Sequence, residues 1–215
     1  METIKEKLSE IKEISKDGLE CAFLPSDVSG NLSIAAKRWL LSYGLAFEEQ
    51  KKFWWSETEQ QLIYPVFDEE GRLVFWIARN FNPSVQKKYY TSGTLANTLH
   101  ILGHEGCLIL VEDVVSAIKV SREYQAMPLF GAYITKHNLI RIRDFALTKE
   151  GATSLLGIWL DPDKNADSLK FKNLASELGI NAFSILGTRD PKNYNHDELI
   201  ELVEYSYVNR NRLSN

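Results

Sequence analysis

The sequence is poor in cysteine. Cys21 and Cys107 are the only two among 215 residues, which is too few for a disulfide framework or a four-cysteine zinc module. The four histidines are scattered along the chain and do not complete a set of zinc ligands. We therefore expect no zinc.

Long hydrophobic runs are also missing. No stretch of eighteen apolar residues occurs, although a transmembrane helix needs about twenty. The first residues, "METIKEKLSEIKEISKDG", carry charges where a signal peptide needs an unbroken apolar core. We therefore expect a soluble, cytoplasmic chain that does not contact a membrane.

Charge is distributed unevenly along the chain. The formal net charge is −4, but residues 72–143 contain nine Lys and Arg against four Asp and Glu, and the segments on either side are acidic. A basic segment between acidic ones suits a protein that holds a polyanion on one surface and a metal ion on another. Solvated helix faces with a chance imbalance would explain the same composition, and both explanations stay open.

The N-terminal half mixes helical patterns with a hairpin pattern. Residues 2–17 have the apolar spacing of a charged helix, and residues 33–43 that of a short helix that ends at Gly44. Residues 60–81 then alternate in polarity around "DEEG", which is typical of a β-hairpin.

The C-terminal half repeats a strand followed by a helix. The strand-like runs "CLILV", "AMPLFG", "SLLGIWL" and "NAFSILG" each precede an amphipathic segment. This alternation predicts an α/β fold, with a parallel sheet covered by helices on both faces. We therefore divide the chain into a helical and aromatic segment (1–61), a small basic α+β subdomain with the hairpin (62–103) and an α/β domain (104–208).

Acidic residues follow several of the predicted strands. Glu112 follows the first strand, Asp161 and Asp163 follow the third, and Asp190 follows the fourth. Functional groups of parallel sheets collect just beyond the carboxyl ends of the strands. The sequence therefore predicts a polar site at this edge of the sheet.

Three explanations compete for the acidic stretch "LDPDKNAD". A calcium loop is disfavoured, because Ala166 stands where such a loop needs glycine and Lys172 stands where it needs glutamate. A charged helix start explains Asn165 and Asp167, which would cap the following helix and favour the positive end of its dipole.

The third explanation, a metal site, accounts better for Asp161 and Asp163. Carboxylates one residue apart at the end of a strand point the same way, and they repel each other unless a cation lies between them. With Glu112 they make three hard oxygen donors that Mg²⁺ could share with water and a phosphate. We therefore favour a metal site for these three residues.

Three motifs, in order, carry a family resemblance: "LVEDVVSAIKV", "LDPDKNAD" and "TRDPKNY". They resemble the TOPRIM domain of bacterial-type primases, phage primase-helicases and type IA and II topoisomerases, with a glutamate, an Asp-x-Asp and a later acid. The upstream "LIYPVFDEEGRLVFWIARNF" and "KKYYTSG" resemble the segment that precedes TOPRIM in primases. The likeness covers about residues 62–205 and is closest to small phage-encoded TOPRIM primases without zinc-binding and helicase domains.

The resemblance implies a DNA primase that makes short RNA primers on single-stranded DNA from ribonucleoside triphosphates, using Mg²⁺ or Mn²⁺. Glu112, Asp161 and Asp163 would be catalytic, and these three with Asp190 would bind the metal. The residues implied to bind nucleic acid or nucleotide are Arg79, Lys87, Lys88, Tyr89 and Lys119. Because the sequence has no "GxxxxGK[ST]" loop, the expected partner is a separate replicative helicase, in the bacterial host's cytoplasm if a phage encodes the chain.

The chain departs from the family pattern at two places. Glu112 is followed by Asp113 in place of glycine, and we predict Asp113 as the N-cap of the next helix rather than an extra ligand. After Asp163, "NAD" replaces a pair that usually includes glycine. Two alternatives therefore stay open: a non-catalytic TOPRIM module that binds nucleic acid or serves as a replisome adaptor, and a TOPRIM metal-dependent nuclease.

Four tryptophans lie in or before the hairpin segment: Trp39, Trp54, Trp55 and Trp76. Their rings could stack on unpaired bases. We predict instead that most of them pack in the interior.

Overall fold

The computed structural model describes residues 22–95, 98–103, 105–131, 134–148 and 155–210. The chain forms two compact units, Met1–Thr98 and Leu99–Asn215. The predicted helix over residues 2–17 lies outside the described residues. The boundaries predicted after residues 61 and 103 stay predictions.

The first unit is built on an antiparallel sheet. Its elements are α1 (Ile34–Ser42), α2 (Phe47–Gln50), β1 (Trp54–Ser56), β2 (Gln61–Phe67), β3 (Leu73–Asn80) and β4 (Tyr89–Gly93). The four strands pair in sequence order, so β4 lies at one edge of the sheet. The helix predicted before Gly44 is α1, and Gly44 has the positive φ of 74° that lets the chain leave it.

The predicted hairpin is formed by β2 and β3. Gln61 pairs with Asn80 in an antiparallel register. The turn between the strands is closed by Asp68, whose carboxylate accepts hydrogen bonds from the backbone N and the Nε of Arg72 at 2.8 and 2.7 Å. The prediction of a hairpin around "DEEG" is therefore confirmed.

Three of the four tryptophans pack inside this unit. Trp54 and Trp76 belong to one apolar cluster with Ile63 and Leu73, and Trp55 is buried as well. Removal of large aromatic rings from water is a major source of stability in a small unit. The predicted packing role is thus confirmed for these three.

The second unit is built on a parallel sheet. Its elements are β5 (Leu108–Val111), α3 (Val114–Val120), β6 (Gln125–Pro128), α4 (Lys136–Thr148), β7 (Leu155–Trp159), α5 (Asn165–Glu177), β8 (Asn181–Ser184) and α6 (His196–Val208). The strand order is β6-β5-β7-β8, and every neighbouring pair is parallel. The four predicted strand and helix repeats are confirmed.

Helices cover both faces of this sheet. Leu108 and Leu110 of β5 pack into a cluster that contains residues of α4 and α5. Ile109 and Val111, which point the other way, pack into a cluster that contains residues of α3 and α6. A strand with apolar side chains on both faces is the expected centre of such a fold, so the predicted α/β class is confirmed.

The parallel arrangement determines where the polar residues meet. Val111 of β5 pairs with Trp159 of β7, so the residues that follow these two strands leave the sheet side by side. Among the described residues, no helix has the length and apolar character needed to cross a bilayer.

Candidate active site

Glu112 and Asp161 meet at the carboxyl ends of β5 and β7. The backbone N–H of Asp161 donates to Oε1 of Glu112 at 2.9 Å. Oε2 of Glu112 accepts a hydrogen bond from the ammonium group of Lys164, and this bond raises the pKa of Lys164 above its usual value. Two of the predicted site residues are therefore in direct contact, and a lysine pairs with one of them.

Asp161 holds a carboxylate oxygen that is short of partners. Its Oδ1 is buried and has no hydrogen-bond partner among the residues that the structure describes. Burial, together with the negative charges of Glu112, Asp190 and Asp113, raises the pKa of Asp161 to about 6, while Lys192 opposes the rise. A cation at this oxygen would offset both the cost of burying the charged carboxylate and the repulsion from the neighbouring carboxylates.

Lys192 lies among the carboxylates on the other side of this group. Its Nζ is 2.8 Å from Oδ2 of Asp113 and 2.9 Å from Oδ2 of Asp190. Although burial opposes its charge, these two carboxylates, together with that of Asp161, raise the pKa of Lys192 above its usual value. The predicted metal ligand Asp190 is therefore already paired with a cation from its own chain.

Asp113 begins helix α3. Its Oδ1 accepts hydrogen bonds from the backbone N–H groups of Val115 and Ser116 at 2.9 and 3.0 Å. These are two of the N–H groups that a helix start leaves unpaired. The prediction of an N-cap at Asp113 is confirmed, and its second oxygen bonds to Lys192.

The two acids Asp161 and Asp190 each precede a proline. Proline favours an extended residue before it and a helical position for itself, and Asp161 has φ −60° and ψ 152° ahead of the short 3₁₀ helix Pro162–Lys164. Asp190 has φ −58° and ψ 144° ahead of a second one, Pro191–Asn193. Two Asp-Pro turns therefore present the acids and, two or three residues later, the lysines.

Asp163 lies in the turn that directly follows Asp161. Strand β7 ends at Trp159, so Asp161 and Asp163 are not alternate residues of a strand, and the argument that they point the same way is wrong. Asp163 is inside the 3₁₀ turn and exposed. Its role as a metal ligand stays a prediction.

The predicted caps of α5 need a similar correction. The N-cap of α5 is Lys164, and no side chain caps it. Asn165 instead donates to the carbonyl of Gly187 at 3.4 Å. Asp167 lies in the first turn, where its charge suits the helix dipole, and it pairs with Lys170 at 2.8 Å.

Glu112 and Asp161 are the residues that fit a hard divalent cation. Among the described parts of the chain, no group of three or more His, Cys, Asp or Glu is arranged to hold a metal ion. Mg²⁺ is commonly held by one or two carboxylates, with phosphates and water completing its shell. The Oδ1 of Asp161, unpartnered among the described residues, matches this demand. Glu112 lies beside it and pairs with the half-exposed Lys164, whereas Asp113 and Asp190 pair with the more buried Lys192.

A cleft of about 90 Å³ opens beside the Glu112 and Lys164 pair. Gly131, Leu160 and Phe171 contribute to its lining. Gly131 has φ +77°, and a Cβ added there would meet no atom within 4 Å. The cleft therefore combines two acidic groups, Glu112 and Asp167, and one basic group, Lys164, with an open backbone turn after β6.

In the first unit, Arg79 lies in a cage of aromatic rings. Its guanidinium carbon is 4.5 Å from the ring centroid of Trp39 and 5.7 Å from those of Phe81 and Tyr89. Its Nη1 donates to Oη of Tyr89 at 3.0 Å. These contacts hold a charged group in one place by cation–π attraction and a hydrogen bond. We refer to these four residues as the Arg79 cage.

Lys87 and Lys88 stand beside the Arg79 cage, just before the edge strand β4. Both are exposed. The Nζ of Lys88 is 5.5 Å from the ring centroid of Tyr89, and the Nζ of Lys87 is 4.8 Å from that of Tyr90. Exposed ammonium groups next to aromatic rings are the combination that binds unpaired nucleotides, through phosphates and stacked bases.

Lys119, which the resemblance implies to bind nucleic acid or nucleotide, lies in a buried environment. It is 8% exposed, and its ammonium donates to the backbone carbonyls of Lys192 and Tyr194. A group so placed has no open face for a phosphate. The assignment of Lys119 to nucleic-acid binding is corrected: it supports the turn that carries Lys192.

Sequence reasoning missed Lys164 and Lys192, and it named Trp39 only as one of four tryptophans that could stack on unpaired bases. The two lysines follow Asp-Pro pairs in the sequence, and that repeated pattern is the one signal that could have drawn attention to them. The pairing of Lys164 with Glu112 and of Lys192 with Asp113 depends on contacts over long sequence separations, whereas Asp190 pairs with Lys192 only two residues later.

No protein-family profile matches the sequence, and no curated protein matches it. Solved structures do. The Aquifex aeolicus primase (zinc-binding and RNA polymerase domains) has 17% identity and a TM-score of 0.57 over 83% of this chain, which spans only 51% of that chain. The primase fragment of the bacteriophage T7 primase-helicase has 11% identity and a TM-score of 0.57 over 89% of this chain and 81% of its own.

A third similar structure is a DnaG primase catalytic domain bound to single-stranded DNA. It has 15% identity and a TM-score of 0.51, and the likeness covers 79% of this chain and 61% of the other. At such identities the comparison concerns the fold. The chain has the fold found in primase catalytic domains.

Proposed function

We propose that the chain is the catalytic core of a DNA primase, which joins ribonucleotides into short primers on single-stranded DNA. The observation that carries the proposal is the contact between Glu112 and Asp161 at the carboxyl ends of adjacent parallel strands, with one Asp161 oxygen left without a partner among the described residues. This is the place in a TOPRIM-like sheet where the resemblance puts the catalytic acids.

In this proposal Glu112 and Asp161 hold Mg²⁺ or Mn²⁺. When bound, such an ion lowers the pKa of the attacking 3′-hydroxyl and neutralises charge on the leaving pyrophosphate. Glu112 is fixed by the Asp161 N–H and by Lys164, so its orientation is set before substrate arrives. Lys164 is about half exposed beside the cleft, where its charge favours an incoming phosphate.

The first unit supplies the basic residues. Arg79, Lys87, Lys88 and Tyr89 bind template or nucleotide in the proposal, since two lysines are exposed beside the Arg79 cage. A fold neighbour, the DnaG primase catalytic domain, was solved with single-stranded DNA bound.

The biological setting is part of the same proposal. By its resemblance, the chain is a small phage-type primase that acts in the cytoplasm of a bacterium and needs no zinc. In this proposal a replicative helicase unwinds the duplex for it.

Primer synthesis is the direct test. The protein is incubated with several single-stranded templates, labelled ribonucleoside triphosphates and Mg²⁺ or Mn²⁺, alone and with the replicative helicase. Short oligoribonucleotides that require template and metal are expected. Absence of product under all of these conditions would overturn the proposal, and metal-dependent nicking of the template in the same reactions would favour the nuclease alternative.

A second candidate is a non-catalytic module that binds nucleic acid or serves as a replisome adaptor. It is favoured by the ion pairs of Lys164 with Glu112 and of Lys192 with Asp113 and Asp190, which neutralise acids without a metal. DNA binding with the same response to metal in wild type and in Asp161→Ala, together with no synthesis by wild type, would support it.

A further inference from the structure

Lys192 lies among the carboxylates of Asp113, Asp161 and Asp190, which with Glu112 we call the acidic cluster. It is much less exposed than a lysine of a surface ion pair. The side chain of Lys192 is 15% exposed. By comparison, the side chain of Lys164, which pairs with Glu112, is 44% exposed, and that of Lys170, paired with Asp167 on the surface of α5, is 74% exposed. Removal of an ammonium group from water is costly unless carboxylates compensate for it. Asp113 and Asp190 do so from two different segments, at 2.8 and 2.9 Å.

The backbone under Lys192 is held in place. Lys119, buried in α3, donates its ammonium hydrogens to the carbonyls of Lys192 and Tyr194. The hydroxyl group of Tyr194 accepts a hydrogen bond from the N–H of Thr188 at 2.8 Å. These hydrogen bonds hold the backbone of the turn in place, and thereby fix the position from which the Lys192 side chain extends toward Asp113 and Asp190.

The charges of the cluster define how much positive charge it still needs. Glu112, Asp113, Asp161 and Asp190 contribute four carboxylates, and Lys164 and Lys192 contribute two ammonium groups. The difference is a net charge of about −2 when all six groups are ionised, which a single divalent ion balances. Without Lys192 the difference would be about −3, and Asp113 and Asp190 would both lack this cation.

We propose that the ammonium group of Lys192 is a permanent cation of this cluster, so that the site takes one divalent ion, at Glu112 and Asp161, and not two. The inference rests on the metal site of the proposed function, but it does not require that the protein synthesise primers. Lys192 is a positioning residue: it holds Asp113 and Asp190 and keeps a second metal ion away from them.

The test counts metal ions on the full chain without DNA or nucleotide. Mn²⁺ is titrated into the protein, and bound and free Mn²⁺ are separated by electron paramagnetic resonance. Wild type is expected to bind one magnetically isolated Mn²⁺. Lys192→Met is expected to bind two, with the spectral broadening that two neighbouring paramagnetic ions produce, while Lys192→Arg, which keeps the charge, binds one.

Lys170→Met is the matched control, because it removes a lysine from a carboxylate on the surface and is expected to leave the count at one. Two Mn²⁺ ions in wild type would overturn the inference, whether or not Lys192→Met folds. A folded Lys192→Met that still binds only one would also overturn it, as would no bound Mn²⁺ in wild type. Primer synthesis by a wild type with two ions would leave the proposed function intact, so the two failures are distinguishable.

Discussion

The backbone N–H of Asp161 donates a 2.9 Å hydrogen bond to the carboxylate of Glu112, 49 positions earlier in the sequence. The contact exists because β5 and β7 are parallel neighbours that end at the same level of the sheet. It leaves the Asp161 carboxylate beside that of Glu112, with one oxygen buried and unpartnered among the described residues. A buried carboxylate oxygen without a partner lowers the stability of the folded chain, and this cost can be measured.

The first consequence concerns stability and pH. Asp161 has a pKa of about 6 in the folded protein, against 3.8 for the free side chain. Ionisation of Asp161 therefore opposes folding: the cost is absent below about pH 4, grows as the pH rises, and is complete above about pH 6. Asp161→Asn should increase the free energy of unfolding at about pH 7.5 by about 1 kcal/mol, allowing for solvent screening of a half-buried group.

Thermal denaturation between about pH 4 and about pH 8 measures this effect. The advantage of Asp161→Asn should shrink toward the acidic end of that range, whereas the exposed Asp163→Asn should stay close to wild type throughout. A lower melting temperature for Asp161→Asn than for wild type at the alkaline end would show that the carboxylate is well compensated in the native state.

The elements around Asp161 were predictable to different degrees. The run that became β7 is continuously apolar, as a strand buried on both faces requires, and the segment that became α5 has the apolar spacing of an amphipathic helix. Pro162 also marks the end of the strand, since proline has no N–H to donate to the hydrogen bonds of a central strand. The prediction that the side chains of Asp161 and Asp163 point the same way did not take into account the 3₁₀ turn that Pro162 begins.

The partners of the acids were beyond sequence reasoning. Lys192 meets Asp113 across 79 positions and Lys164 meets Glu112 across 52. Such contacts depend on where two loops leave the sheet, and periodicity carries no information about that. By contrast, the cap at Asp113 is a local contact with residues two and three positions later, and it was predicted correctly.

The lysines beside β4 should account for part of the salt dependence of DNA binding. Lys87 and Lys88 are exposed next to Tyr90 and Tyr89. The slope of log K against log salt concentration is negative, and removing one phosphate-binding lysine from a complex with single-stranded DNA makes it less negative by roughly 0.7. In fluorescence anisotropy titrations over a range of salt concentrations, the double substitution of Lys87 and Lys88 by Gln should therefore make the slope less negative by roughly 1.4.

Lys51→Gln is the control for that measurement. Lys51 is also an exposed lysine of the first unit, but it pairs with Glu48 at 2.6 Å. The slope of log K against log salt concentration for Lys51→Gln should match that for wild type. An unchanged slope in the double variant would remove Lys87 and Lys88 from the binding surface.

Lys119 should affect stability and not DNA binding. Lys119→Met removes the ammonium that serves the carbonyls of Lys192 and Tyr194, and buried groups that are deprived of their partner cost about 1 to 3 kcal/mol each. Urea denaturation should show a decrease in the free energy of unfolding in that range. DNA affinity, measured where the variant is folded, should equal that of wild type, and a weakened affinity without a decrease in stability would return Lys119 to the binding surface.

Primer synthesis by Asp161→Asn and Asp163→Asn, compared side by side with wild type, tests the central claim most directly. Asp161 contacts Glu112 and has the oxygen that is unpartnered among the described residues, whereas Asp163 is exposed on the neighbouring turn. Because metal stabilisation of the transition state is worth several kcal/mol, Asp161→Asn should lower primer yield by about 100-fold or more, and Asp163→Asn by less than about tenfold. Full activity in Asp161→Asn, or its loss in Asp163→Asn alone, would contradict the account.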